Sequence, residues 1–241
     1  MVSFDIVGDI AIIKFREDID LNEIADYILK KHKNIKNVAV DYGVTGKTRV
    51  RNLELIRGER TETIHREYGV RIKVDISKVY FSPRLATERW KVVSSVNDGE
   101  VIYDMFAGCG PFSVLIAKYR NVRIYAGDIN PYAIEYLKEN IRLNKVGNIY
   151  PLLGDAKEIY RKIPEKVDRV IMNLPHSASE FIPYAIETLK KRGVIHYYEI
   201  LPKDEVHNKN FDEYDLKILE YHRVHEYSPA KTLFSFLLQK I

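Results

Sequence analysis

The chain has 241 residues, 46% of them hydrophobic, enough to bury a sizeable core as one large domain or two small ones. With 38 Lys and Arg against 34 Asp and Glu, the net charge of +4 permits a polyanionic partner without demanding one. A single Cys109 excludes an intramolecular disulfide and a cluster built on several thiolates; the seven His show no metal-ligand spacing, no apolar run is long enough to span a membrane, and no secretory signal opens the chain.

These exclusions describe a soluble cytoplasmic protein with no metal. Residues 1–77 read as a small α+β domain. "FDIVGDIAIIKF" alternates, with Gly8-Asp9 as a hairpin turn. "DLNEIADYILKKH" has a helical period, with Asp20 placed as N-cap. "NVAVDYG" is strand-like. A basic stretch from Lys47 to Arg60 follows, and then "TETIHREYG" and "VRIKVDIS" pair across Tyr68-Gly69.

Residues 78–241 follow another grammar. "EVIYDMFAG", "NVRIYAGDIN", "NIYPLLGDA", "VDRVIMNLP" and "GVIHYYEIL" are strands separated by helical segments. Asn130 and Pro131 open one helix, and Gly193 is expected to close the helix in "ASEFIPYAIETLKK". Alternating strands and helices with short loops imply a doubly wound, mostly parallel sheet. The tail forms two strands joined at Ser-Pro, expected as an antiparallel hairpin at the sheet edge.

In an open α/β sheet, ligands sit beyond the carboxyl ends of the strands. The first such end offers Asp104, Gly108 and Gly110 in "DMFAGCG". The third glycine of a dinucleotide fingerprint is replaced by Ser113, which weakens a pyrophosphate reading. The second ends in Asp128, able to accept from two ribose hydroxyls. The third ends in Asp155, able to accept from an adenine amino group, and the fourth ends in "NLPH". Any one of these carboxylates is more often a cap or turn residue than a ligand. In this order on successive strands they describe a site for S-adenosyl-L-methionine.

"DMFAGCGPFS", "GDINPYAIEYLKENIRLNK", "DRVIMNLPHSASEFI" and "GVIHYYE", extended upstream by "RVRNLELIRGERTETIHREYG" and "KVYFSPRLATER", resemble the archaeal and eukaryotic tRNA (guanine-N1)-methyltransferases that act on the guanosine next to the anticodon. The resemblance covers nearly the whole chain. It implies a class I methyltransferase fold, Rossmann-like and closed by an antiparallel hairpin. The related wybutosine-pathway aminocarboxypropyl transferases typically lack the Asn-Leu-Pro and carry Tyr where Pro111 stands here. Longer members of the family have an additional N-terminal domain that checks the outer elbow of the tRNA, and this chain begins at what resembles their second domain.

By the same resemblance, Glu88 is the base for the guanine N1 proton and Arg49 stabilises charge on O6. Asn173 and Pro175 orient the ring, since an amide both donates and accepts and a proline stiffens the turn that aims it. The implied cofactor-binding set is Tyr80, Arg89, Asp104, Phe106, Gly108, Gly110, Asp128, Ile129, Asp155, Ala156 and Asn173. Arg49, Arg84, Lys47 and Arg51 are the implied tRNA contacts. A monomer acting on tRNA, not on DNA or a membrane, is expected, and a tricyclic wyosine base at the same tRNA position is the alternative substrate. A non-catalytic RNA-binding module is the reading from a different class.

Blander readings stand beside these. Glu88 taken alone is an exposed i,i+4 ion pair with a neighbouring Arg. Arg49 could be one phosphate contact among several. Asn173 could cap a helix near Ser177. Cys109, Tyr197 and Tyr198 read as packing residues.

Overall fold

The computed structural model describes residues 3–241 apart from Lys47 and Arg49. β1 (Phe4–Val7) and β2 (Ile10–Lys14) form the first hairpin, turning at Gly8 with φ +57°. α1 (Leu21–Lys31) starts where Asp20 accepts from the backbone N–H groups of Asn22 and Glu23. It crosses over to β3 (Asn37–Thr45), parallel to β2, and β4 (Val50–Arg57) completes a sheet of order β1-β2-β3-β4. Ala25 and Ile28 of α1 close a small core with Ala11, Ile13, Ile35 and Val38.

β5 (Glu62–Glu67) and β6 (Val70–Asp75) form a two-stranded sheet, paired across Tyr68-Gly69. Next come α2 (Ala86–Ser95), β7 (Val101–Asp104), α3 (Pro111–Tyr119), β8 (Arg123–Asp128), α4 (Pro131–Asn144), β9 (Ile149–Leu153), the single turn α5 (Ala156–Ile159), β10 (Val167–Met172), α6 (Ile182–Thr188), β11 (Leu189–Pro202), β12 (Leu216–Glu226) and β13 (Lys231–Lys240). The large sheet has the order β12-β13-β11-β10-β7-β8-β9. The strands from β7 to β11 pair in parallel; β13 is antiparallel to both β11 and β12.

Two asparagines one helical turn apart fasten the β5–β6 hairpin to the large sheet's helix layer. Asn140 accepts from Lys73 N at 2.7 Å and donates to Lys73 O at 2.9 Å; Asn144 does the same with Arg71, at 2.8 and 2.7 Å. Their amides satisfy the open edge of β6, which has no further strand beside it among the described residues. Asn140 also donates to Cys109 O at 2.9 Å, so the hairpin is tied to the glycine turn after β7. The division expected at 77/78 falls after this hairpin, which contacts β1 on one side and α3 and α4 on the other.

One expectation is corrected. The helix read over "ASEFIPYAIETLKK" ends at Thr188, and Lys190, Lys191 and Gly193 lie in β11. Leu189 is buried and pairs with Val167, so the chain enters the sheet before its helical pattern runs out. Gly193 is therefore no helix cap. A Cβ there would stand 2.7 Å from Leu189 Cγ and 3.0 Å from the Asp168 carbonyl oxygen, so it permits close backbone approach at a bulge.

Candidate active site

The strand ends converge as the doubly wound sheet requires. At β7, Asp104 accepts from the Ser113 hydroxyl at 2.7 Å through Oδ2, while its buried Oδ1 has no partner among the described residues. Burial, with Asp128 adding to it, pushes this carboxyl up to about 7. A buried carboxyl oxygen with no partner among the described residues fits a ligand that brings a donor or a cation.

The turn itself needs its glycines. Gly108 (φ +56°) donates its N–H to Asp128 Oδ2 at 2.7 Å. Gly110 (φ +84°) caps α3, and a Cβ there would lie 2.3 Å from Leu137 Cδ1. Asp128, at the end of β8, also accepts from Asn130 N at 2.8 Å; burial raises its carboxyl, opposed by these backbone donors. Asn130 both caps α4 and donates to Lys78 O at 2.7 Å, joining the turn to the segment before α2. Ile129 is exposed beside it, Ala156 is buried, and Phe106 packs edge-on against Phe181 at 5.0 Å. Asp155 caps α5 through Lys157 N at 2.9 Å and is half-buried, which leaves an oxygen for a ligand.

Asn173 and Pro175 follow β10. The short 3-10 helix Ala178–Phe181 has no side-chain cap, so Asn173 is not a helix-capping residue. Pro175 O accepts from Ile200 N at 3.2 Å, which pins the turn to β11. Tyr197 pairs with Met172, the last residue of β10, and Tyr198 follows it on β11.

Tyr198 leads to Glu88. Glu88 is 3% exposed, not a surface ion pair; Arg84 instead donates to Asp5 at 2.7 Å. Glu88 Oε1 accepts from Tyr198 Oη at 3.0 Å, and Oε2 lies 2.8 Å from His222 Nε2. Burial alone would raise this carboxyl, but His222, Tyr198 and Ser235 together hold it below its usual range. The carboxylate is thus kept ionised, as a proton acceptor requires.

Arg89, the next residue, has other partners. It is 1% exposed, donates to both oxygens of Glu67 at 2.6 Å and to Ser82 O, and lies over Phe81 and Phe112. Arg51 is also turned inward, onto Asp41 and Phe81 O, with its guanidinium 4.9 Å from the Tyr80 ring. A cation this buried needs a counter-ion, so Arg51 joins β4 to the segment carrying Tyr80 and is not a free phosphate contact. Tyr80 itself is exposed, and its carbonyl is 3.8 Å from where a Gly108 Cβ would stand. Arg49 and Lys47 lie outside the described residues.

Sequence reasoning had no role for His222, Ser235 or Glu67, and it read Tyr198 as core. Tyr198 is core, at 0% exposure, and also a ligand of Glu88. Cys109 is buried, with its thiol pushed up to about 12 by that burial, and serves packing. Among the described residues no His, Cys, Asp and Glu cluster could hold a metal, and no helix is long and apolar enough to cross a membrane.

A mostly parallel seven-stranded sheet with an antiparallel final pair, a glycine turn after its first strand and acids on the next two define a class I methyltransferase fold. Residues 63–224 match the TRM5/TYW2 methyltransferase domain and residues 1–61 the TYW2 N-terminal domain; the chain belongs to this TRM5/TYW2 family. It is 52% identical over 207 residues to the tRNA (guanine(37)-N(1))-methyltransferase Trm5b of Pyrococcus abyssi, covering 84% of this chain and 61% of that relative. It is 39% identical over 201 residues to the tRNA 4-demethylwyosine(37)-methyltransferase Taw21 of Saccharolobus solfataricus, covering 80% of this chain and 76% of that one. The solved complex of aTrm5 with tRNALeu superposes with a TM-score of 0.90 at 42% identity, covering 100% of this chain and 72% of that one.

Proposed function

We propose that the protein methylates N1 of guanosine 37 in tRNA, using S-adenosyl-L-methionine. The observation that carries this reading is Glu88, a buried carboxylate held ionised by His222, Tyr198 and Ser235. Guanine N1 bears a proton near neutral pH, so its methylation needs such an acceptor. S-adenosyl-L-methionine supplies the methyl group when bound.

The chain's residues divide the work. Asp128 accepts from ribose hydroxyls, Asp155 from the adenine amino group, and the open oxygen of Asp104 takes a donor from the amino-acid end. Asn173, aimed by Pro175, orients the target base once it leaves its stack, at a cost of a few kcal/mol. Phe106, Ile129 and Ala156 line the adenosine side, and Tyr80 covers the glycine turn. Arg49 holds O6 and Lys47 meets the RNA; the resemblance supports both roles. Exposed Arg84 is an RNA contact. The enzyme works as a cytoplasmic monomer.

The test is methyl transfer from labelled S-adenosyl-L-methionine to unmodified tRNA transcripts carrying guanosine or adenosine at position 37. Label recovered as 1-methylguanosine from the guanosine transcript alone is the expected result. A second reading has support of its own: the TYW2 N-terminal match and the likeness to a 4-demethylwyosine methyltransferase. Label only on tRNA already bearing the tricyclic base would make that the activity.

Cofactor affinity should depend on pH through Asp104. Its folded pKa is raised to about 7, so in the free protein it is mostly protonated at pH 6 and mostly ionised at pH 8. A cationic ligand prefers the ionised form, so calorimetry should show affinity about ten-fold weaker at pH 6 than at pH 8. Asp104→Asn should flatten that dependence. The stability of the ligand-free protein runs the other way: the raised pKa favours folding below pH ~4, and this contribution is lost as pH rises through 7.

A further inference from the structure

A base sealed from water must pass its proton on before it can act again. Glu88 is so sealed, and the groups that seal it form one row across three strands. Tyr198 on β11 pairs with Ser235 on β13, and Ser235 pairs with His222 on β12. Tyr198 is 0% exposed and Ser235 3%, whereas the His222 side chain is 31% exposed. Of the three, His222 alone touches both the carboxylate and solvent.

We propose that His222 is the proton exit for Glu88, relaying the proton taken from the target base to water. The inference rests on the reading of Glu88 as that base. In the chemical step the N1–H bond breaks, and its proton goes to Glu88. N1 bonds to the methyl carbon, and the electron pair of the broken carbon–sulfur bond stays on sulfur. Glu88 then gives the proton to Nε2 of the neutral imidazole, and Nδ1 releases one to water. The ring is left donating from Nε2 to the carboxylate, the contact present at 2.8 Å. Tautomer exchange through solvent readies it for the next cycle.

Each element packed against His222 presents a titratable, charged or polar group to it. From α2 it faces Glu88, with Lys91 Nζ 4.0 Å from the same carboxylate oxygen. From β11 it faces Tyr198 and His196. His196 is kept neutral first by burial, then by Arg169 of β10 at 2.6 Å, and then by His222 itself. From β13 it faces Ser235, which carries no charge. On its own strand the neighbouring Arg223 is occupied by Glu226 at 2.8 Å. Glu88 is therefore the acid group in contact with the ring.

His222 acts through Glu88, so it is a positioning and relay residue, and its test must separate relaying from merely holding. Steady-state methyl transfer to the guanosine-37 transcript is measured for wild type, His222→Ala, His222→Gln and Glu88→Gln, with and without added imidazole, from about pH 6 to 9. Calorimetry with S-adenosyl-L-methionine checks that each variant remains folded. Expected: both His222 variants bind the cofactor within about two-fold of wild type and lose about ten-fold or more in kcat with KM little changed. Imidazole should restore the Ala variant and reshape its pH profile. Gln keeps a donor to Glu88 but carries no proton onward, so a His222→Gln enzyme at full rate overturns the relay, as does an Ala variant that imidazole leaves slow. If Glu88→Gln is inactive in that case, only the relay falls; if Glu88→Gln also turns over normally, the assignment of the base falls with it.

Discussion

Glu88→Gln is expected to slow methyl transfer to guanosine 37 by about 10²–10⁴-fold while leaving S-adenosyl-L-methionine affinity within about two-fold. The substitution is isosteric and keeps hydrogen-bonding capacity toward Tyr198 and His222, so it removes the proton acceptor and little else. The folded carboxyl is held below its usual range, so ionised Glu88 is present throughout the neutral range and is lost only as pH falls through that depressed value. Steady-state kinetics on the guanosine-37 transcript, paired with calorimetry, reads both quantities. Turnover near the wild-type rate would remove Glu88 as the base.

The second large effect is on stability. Glu67→Ala leaves the Arg89 guanidinium buried at 2% side-chain exposure without its counter-ion, keeping only Ser82 O and two aromatic faces. Uncompensated buried charge of this kind costs about 3–5 kcal/mol. For a chain of this size that is a fall in Tm of roughly 10 °C in a thermal melt. Burial pushes the Glu67 carboxyl up, but His65 and Arg89 outweigh it and hold it low, so the pair's contribution is lost as pH falls through the depressed value. The double variant Glu67→Leu/Arg89→Met removes both charges and should be less destabilised than Glu67→Ala. A double variant that melts lower still would show that the pair stabilises the fold in net terms. The pair spans the β5–β6 hairpin and α2, so the same loss also loosens the helix that carries Glu88.

Much of the arrangement was legible because local rules produced it. The Asp20 and Asn130 caps, the Gly8-Asp9 and Tyr68-Gly69 turns, and the β–α alternation after residue 100 all express near-neighbour sterics and hydrogen bonding. The strand-end acids were legible because a doubly wound sheet delivers successive carboxyl ends to one edge whatever its exact register. The end of α6 was not, because burial of Leu189 beside Val167 of β10 outweighed a helical pattern that runs on to Lys191.

Sequence by itself thus determined the fold class, the glycine turn, the order of Asp104, Asp128, Asp155 and Asn173, and through its motifs the family resemblance. Only the tertiary structure decided which charges are buried and what holds them. Glu88 and Arg89 are adjacent on one helix, yet the first meets His222, 134 residues away, and the second meets Glu67, 22 residues before it. Those partners follow from the register of β11, β13 and β12 and from the docking of the β5–β6 hairpin on Asn140 and Asn144. Such long-range pairings depend on the free energy of the whole packed core, which no local pattern in the chain encodes.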